Sequence, residues 1–416
     1  MSLDLYNDYW VSVIEMIYSD NNKTRHCSRL IVCISMIALA LLSVSCSISQ
    51  GNPQPEITPL VTSPASPQVE NETGAQSIPT SIRFSKIGAD EGFPQSTTYA
   101  IVQDSTGFMW FGTEDGLNRY DGVNFKIFQP QKDDPTSLSD RWITSLVSAD
   151  SGDLWVGTRQ GGVNYYHAET STFEQFLHDE DNPGSLNSNS VNVVFLDRSK
   201  RLWVGTNQGV DLFNSQTRSF QHFYLDELSP RPTSSLSITA FYEDPQGNLW
   251  IGTQKSGLFR LIPSTGSFTQ FKQEAGNLNS ISSDNIRGIV PAGSISLWIA
   301  TDSGLNLFIP SEQRFIPYIH SEAQEDSIID NYVRSIYLDA SGILWLGTPA
   351  GLDCLDVHKN RFVHFTHDPM DIKSLSSSSV LAIYQSNDGV LWVSTYGGYI
   401  NKYYRGMDRF AYFHYS

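Results

Sequence analysis

The sequence predicts an all-β protein, a seven-bladed β-propeller of four-stranded antiparallel blades, and two aromatic ladders predict it. Seven tryptophans, Trp110, Trp155, Trp203, Trp250, Trp298, Trp345 and Trp392, recur at intervals of 45, 48, 47, 48, 47 and 47 residues. Each opens a near-copy of one phrase: WFGTEDG, WVGTRQG, WVGTNQG, WIGTQKSG, WIATDSG, WLGTPAG and WVSTYGG. A second ladder, Phe-x-x-Phe or Phe-x-x-Tyr, keeps the same register from Phe125, Phe173, Phe220, Phe268, Phe315, Phe362 and Phe410. Repeats of roughly 40–50 residues mark propellers, solenoids or arrays.

The unit reads strand by strand. An apolar stretch such as 333–338 is followed by a turn, Asp339-Ala-Ser-Gly342, and then by the Trp strand, Ile343–Thr348. A Gly turn, the segment Leu352–Val357 and the Phe-x-x-Phe strand complete it. Four short strands with Gly or Asp/Asn turns describe one propeller blade. No stretch of useful length carries a 3.6-residue period, which excludes a helical repeat. The repeated Trp is expected to lie between neighbouring blades as architecture, and the Gly after it to let backbones approach. Ring closure is open to two readings. Phe84-Ser-Lys-Ile87 looks like an extra copy of the outer strand, yet Phe410-Ala-Tyr-Phe413 offers the same strand at the other end.

Composition narrows the function. Charged residues make up 17% of the 416, below the ordinary share of about 25%, which argues against a polyelectrolyte or a coiled coil. Acidic residues exceed basic ones by 44 to 27, a net charge of −17. Nucleic acid needs a basic face, so it is not an expected partner.

The first 46 residues read as an export signal. Lys23, Arg25 and Arg29 precede an apolar run from Leu30 to Val44 and a small-residue end at Ser43-Val44-Ser45-Cys46. The run is short for a membrane span of about 20 residues. Cleaved signal, signal anchor and lipoprotein signal remain as alternatives, Cys46 being the candidate lipid acceptor. Residues 47–80 hold six prolines and almost no large apolar group, the composition of a flexible tether. The propeller is assigned to 81–416. Cys27, Cys33 and Cys46 fall in the signal, which leaves Cys354 alone in the folded part and excludes a disulfide framework. The expected location is exported, at the periplasmic or extracellular face of the cytoplasmic membrane and tethered to it.

The phrases Asp104-Ser-Thr-Gly-Phe-Met-Trp-Phe-Gly-Thr-Glu-Asp-Gly-Leu-Asn-Arg-Tyr-Asp121 and Asp133-Asp-Pro-Thr-Ser-Leu-Ser139 resemble the two-component regulator propeller repeat. Similar linkers recur at Asp181–Asn187 and Asp368–Ser376. The resemblance covers about residues 84–416. It implies the extracytoplasmic sensor region of bacterial histidine kinases and hybrid two-component systems. Members commonly carry two propellers, a small β-sandwich, one transmembrane helix and a kinase. A truncated or stand-alone sensor is therefore expected. Its implied partners are a histidine kinase or second propeller, in cis or in trans, and an extracellular small molecule or oligosaccharide.

No metal-ligand cluster, nucleophile elbow or phosphate loop is present, so no catalytic residue, metal or cofactor is expected. His364 and His367 are three apart on a strand and face opposite ways. Asp104, Asp150, Asp197, Asp244 and Asp339 recur at one turn and read as turn-formers. Positions that vary between blades are free to serve a ligand. They include the two residues after Gly-Thr and the residues entering the innermost strand. The candidates drawn from them are Trp142, Arg159, Asn207, Lys255, Arg287, Tyr332 and Tyr396, with Arg334 sharing the column of Arg287. Aromatic faces among polar groups suit a polyhydroxylated ligand. The rival readings are an exported polysaccharide lyase or hydrolase, with Glu114, Asp115 and Asp302 at the funnel, and a protein-binding scaffold.

Overall fold

A fixed position lies six residues before each ladder Trp, and the residue there decides how the indole is held. In the computed structural model, which describes residues 78–94, 97–225, 236–357, 359–397 and 399–405, Asp104 Oδ1 accepts from the backbone N–H groups of Thr106 and Phe108. Its Oδ2 accepts the Trp110 indole N–H at 2.6 Å. Asp197, Asp244 and Asp339 hold Trp203, Trp250 and Trp345 in the same way, at 2.9–3.0 Å. Ser386 replaces the aspartate for Trp392 at 2.9 Å. One carboxylate thus shapes a turn and saturates a buried donor that would otherwise cost about 1–3 kcal/mol.

The structure corrects one member of that series. Asp150 lies one residue out of register, and Ala149 occupies the position six before Trp155. Asp150 instead points outward to Lys200 of the next blade, 2.6 Å away. Without the carboxylate, Trp155 is the most exposed of the seven ladder indoles at 9%.

Twenty-eight strands form seven antiparallel four-stranded sheets. Blade 1 is typical: Thr98–Gln103 innermost, then Met109–Thr113, Gly116–Tyr120 and Phe125–Phe128. Among the described residues the helical elements are two single 3-10 turns, Ala89–Glu91 and Asp150–Gly152. The core is seven hydrophobic seams. Trp110 of blade 1 packs with Leu154, Val156 and Tyr166 of blade 2, and Trp250 of blade 4 with Ile286, Ile299 and Phe308 of blade 5. Each seam closes over the small residue two after the Trp. A Cβ on Gly252 would stand 2.6 Å from Ile286 Cγ2, and one on Gly205 2.6 Å from Ile238 Cγ2. Neither contact is sterically tolerable, so the backbone approach requires glycine there.

The loops between blades are pinned by a buried column on the third strand. Asn164, Asn306 and Asn401 accept from Ser139, Ser282 and Ser376 N–H at 2.9–3.0 Å. Asp211 and Asp353 accept from Asn187 and Ile329, and each also faces a histidine across the outer strand pair. His222 Nδ1 lies 2.6 Å from Asp211 and its Nε2 3.0 Å from the Pro183 carbonyl. His364 repeats this with Asp353 and the Glu325 carbonyl, at 2.6 and 2.9 Å. His367 turns away to the Leu375 carbonyl, so the two histidines serve separate structural bonds. Both ring nitrogens of His222 and His364 face oxygen atoms, an arrangement that the two-donor imidazolium satisfies when the aspartate is ionised, although burial of Asp211 and Asp353 raises the pKa of each carboxyl and opposes that ionisation. The Asp hydrogen bond accordingly raises both histidine pKa values.

Ring closure is settled by Phe84–Ile87, which pairs antiparallel with Ile400–Tyr403 and supplies the outer strand of blade 7. Phe84 N–H donates to the Lys373 carbonyl at 2.8 Å, as the outer-strand Phe173, Phe220, Phe315 and Phe362 do to the loops before their own blades. Phe84 is therefore the seventh member of that ladder. The Phe410 segment, the signal region with Cys46 and the tether up to residue 77 lie outside the described residues. Ser394 stands in blade 7 where most blades have glycine, and its hydroxyl donates to the Thr98 carbonyl of blade 1 at 3.0 Å. Cys354 is fully buried opposite Trp345, and burial pushes its thiol pKa up to about 12.

Two outcomes follow from these contacts. Gly252→Val should destabilise the ring by about 1–3 kcal/mol through overpacking against Ile286, read from denaturant midpoints. The histidine pairs should make stability depend on pH. A raised folded-state pKa gives stabilisation that is complete below the ordinary histidine value of about 6.5 and is lost as pH rises through the folded value. The melting temperature should therefore fall as pH rises past the ordinary histidine value of about 6.5. Converting Asp211/His222 and Asp353/His364 into the Asn/Gln pair that blade 2 carries, Asn164 and Gln175, should flatten that fall. An unchanged pH profile in the quadruple variant would show that the pairs are not its source.

Candidate functional site

The innermost strands share one irregularity that aims side chains at the axis. In blades 1–5 and 7 the pairing with the Trp strand slips by one residue, between Thr98 and Ala100 in blade 1 and at the same place elsewhere. A bulge leaves the extra residue unpaired and re-aims it. The bulged residues are Tyr99, Thr144, Asn192, Thr239, Arg287 and Leu381, and Arg334 holds the corresponding place in blade 6. All seven line one central cavity of about 600 Å³, together with Ser237, Gln254, Tyr332 and Tyr396. The volume falls in the usual range for ligand sites, about 300–1,000 Å³.

The wall of this funnel divides by chemistry. Blades 2–4 contribute hydroxyls and amides, several bonded to the next blade. Thr144 Oγ1 donates to the Val191 carbonyl and Thr239 Oγ1 to that of Ile286, both at 2.7 Å. Asn192 donates to the Ile238 carbonyl at 2.9 Å. Blades 5–7 and 1 contribute rings and cations. Arg287 and Arg334 stand 4.9 and 5.6 Å from the centre of the Tyr332 ring, and Arg334 donates to Ser379 Oγ at 2.6 Å. Tyr99 stacks on Trp142, with centroids 5.7 Å apart, and the Arg159 guanidinium lies 4.1 Å from Trp142. Burial, aided by Glu114, raises the Tyr99 pKa, while Arg159 and Arg334 oppose it.

Of the residues that the sequence nominated, the structure brings Arg287, Tyr332 and Tyr396 into the cavity wall and seats Trp142 and Arg159 behind Tyr99. Lys255 does not line the cavity. Its neighbour Gln254 does, and Lys255 instead takes a positive φ of 90° in an exposed turn. Asn207 lies outside the lining too, although its Oδ1 is buried without a partner. Sequence reasoning passed over Tyr99, Thr144, Asn192, Thr239 and Leu381. The signal was present as a fixed offset, one residue after the apolar entry to each inner strand.

The carboxylates nominated for catalysis are not gathered. Glu114 and Asp115 belong to blade 1 and Asp302 to blade 5. Asp115 pairs with Arg141 at 3.7 Å. Asp302 is occupied by Ser283 Oγ and Asn285 Nδ2, each at 2.5 Å. No cluster of three or more potential metal ligands occurs among the described residues. A second hollow of about 530 Å³ lies between blades 2 and 3, over Trp155, Phe176 and Phe213. Its charges are spent on each other, Lys200 on Asp150 and Arg218 on Glu174.

A ring of near-identical blades around one asymmetric funnel defines a repeat propeller whose individuality lies at the axis. Five stretches, residues 92–115, 185–208, 233–255, 327–350 and 374–397, match the family described as two component regulator propeller. Among solved structures it resembles the extracellular domain of the hybrid two component system BT3049 from B. thetaiotaomicron (26% identity, TM-score 0.67), covering 78% of this chain and 42% of that one. The extracellular domain of BT4673 from the same organism shares the fold at 23% identity and TM-score 0.63, over 78% and 40% of the two chains. A catalytically inactive virginiamycin B lyase from Staphylococcus aureus does so at 13% and 0.58, over 78% and 99%. A 56-residue stretch is 43% identical to Histidine kinase P4 of Formosa agariphila, covering 14% of this chain and 4% of that protein. The chain thus spans less than half the length of the two-component relatives it matches. No helix among the described residues is long and apolar enough to cross a membrane.

Proposed function

We propose that this propeller is the non-catalytic, ligand-sensing head of an extracytoplasmic two-component sensor, and that the central funnel takes an oligosaccharide or a similar polyhydroxylated molecule. The observation that carries the reading is the wall itself. Seven equivalent positions hold Tyr, Thr, Asn, Thr, Arg, Arg and Leu, while the seams around them repeat blade after blade. The fold alone cannot decide between sensor and enzyme, since a lyase shares it, and the argument therefore rests on the site. Tyr99, backed by Trp142, and Tyr332 and Tyr396 offer rings for sugar stacking, and Thr144, Asn192, Ser237, Thr239 and Gln254 offer groups for hydroxyls. Dispersed carboxylates, with Asp115 and Asp302 already bonded, argue against a lyase or hydrolase. Residues 1–46 would export and anchor the head, residues 47–80 would hold it off the membrane, and a histidine kinase, in cis or in trans, would receive the signal. Binding must favour one arrangement of the head over another, because equal affinity for both transmits nothing.

Calorimetric titration with an oligosaccharide panel should give saturable binding without product, weakened about fivefold or more by Trp142→Ala or Tyr332→Ala. Turnover abolished by Asp115→Asn or Asp302→Asn would overturn the sensor reading in favour of an enzyme.

A further inference from the structure

We infer that the ligand of the central funnel carries an anionic group, a carboxylate or a sulfate, which Arg287 and Arg334 receive beside Tyr332. This rests on the funnel being the ligand site and adds the charge of what it holds. The protein as a whole has a net charge of −17, yet the eleven residues lining the funnel include two arginines and no aspartate or glutamate. Neither arginine forms an ion pair with a carboxylate among the described residues; Arg141, Arg201, Arg218 and Arg314 do, and Arg119, Arg159, Arg260 and Arg361, which do not line the funnel, also lack one.

The hydrogen-bonding pattern of the bulge column points the same way. Thr144, Asn192 and Thr239 each bond to the inner strand of the next blade. Arg287 is the next member, and it breaks the pattern. Its side chain lies over Tyr332, and its Nε is buried with no hydrogen-bond partner, a feature it shares with Arg260 and Arg361 but which only at Arg287 occurs in the funnel wall. A buried, unpartnered donor on a permanently charged group costs free energy unless an acceptor completes it. Arg334 spends one nitrogen on Ser379 and leaves the rest of its donor fork. Two guanidiniums on one ring, in a wall without carboxylates, form a cradle for an oxyanion. The planar guanidinium fork matches carboxylate and sulfate oxygens in pairs. The hydroxyl and amide wall of blades 2–4 then faces the uncharged remainder of the ligand. The complete site suits an acidic sugar, a uronate or a sulfated residue, better than a neutral one.

The test is a titration of the purified protein with three matched sets of oligosaccharides, neutral, uronate-containing and sulfated, together with sodium sulfate alone. Acidic sugars should bind at least tenfold more tightly than neutral ones of the same length, and the preference should shrink as salt rises. Arg287→Gln or Arg334→Gln should lower that affinity roughly ten- to a hundredfold, and Arg287→Lys should restore part of it. A melting curve for each variant separates loss of binding from loss of fold, and the salt response of the unaltered protein needs no variant. Uronate against sulfate identifies which oxyanion is read. Neutral sugars bound as tightly, with no effect of Arg287→Gln, would overturn the anion assignment and leave the sugar reading standing. Sulfate that protects the unaltered protein but not Arg287→Gln from unfolding, with no sugar bound, would keep the anion site and overturn the sugar reading. No response to any probe would overturn both.

Discussion

No blade can bury both of its faces by itself, and this one constraint organises the molecule. Each sheet leaves an apolar face that only its neighbour can cover, so stability requires every seam, including the one between last blade and first. The final seam is secured by a strand borrowed from the other end of the domain, Phe84–Ile87 against Ile400–Tyr403, and by Ser394 reaching the Thr98 carbonyl. A hydroxyl therefore stands at the joint where most seams have only the absence of a Cβ. With the ring closed, the inner strands are held in fixed register, and the bulged residues converge on a common axis.

The architecture was legible because the forces that build it repeat. Trp, Gly and the outer Phe recur since each seam needs the same area and the same close approach. Seven copies of a noisy pattern make a clear one. Even the closing strand could be recognised as a surplus copy, although sequence alone left its role open between Phe84 and Phe410. The misplacement of Asp150 has the opposite origin. A turn tolerates an aspartate at adjacent positions, whereas the indole can reach only the one six residues back, and that distinction exists only in three dimensions.

The site was less legible, for a physical reason. A strand alternates its faces, so a reading by simple periodicity looks for axial residues at strand entries and turns. The bulge displaces that periodicity by one residue and sends the following side chain inward. Arg287 was found because its charge is conspicuous among short polar neighbours. Thr144 and Thr239 were not, because a threonine in a strand has an ordinary explanation. Lys255 and Gln254 show the same effect at the turn, where the positive φ of Lys255 turns one side chain outward and leaves its neighbour on the wall.

The borrowed strand also fixes the order in which the domain can be completed. Within a blade, contacts join residues a few tens of positions apart, and such local pairings form early. The pairing of Phe84 with Tyr403 spans nearly the whole domain and cannot exist until the last blade has been synthesised. Until then the first strand must wait unpaired, and blades 1 and 7 must keep their facing surfaces free of other partners. The pairing with the greatest sequence separation is thus the meeting of the domain's first and last described strands. A lesion at either end should therefore act on the whole ring, whereas an equivalent lesion in a middle blade acts first on its own hairpins.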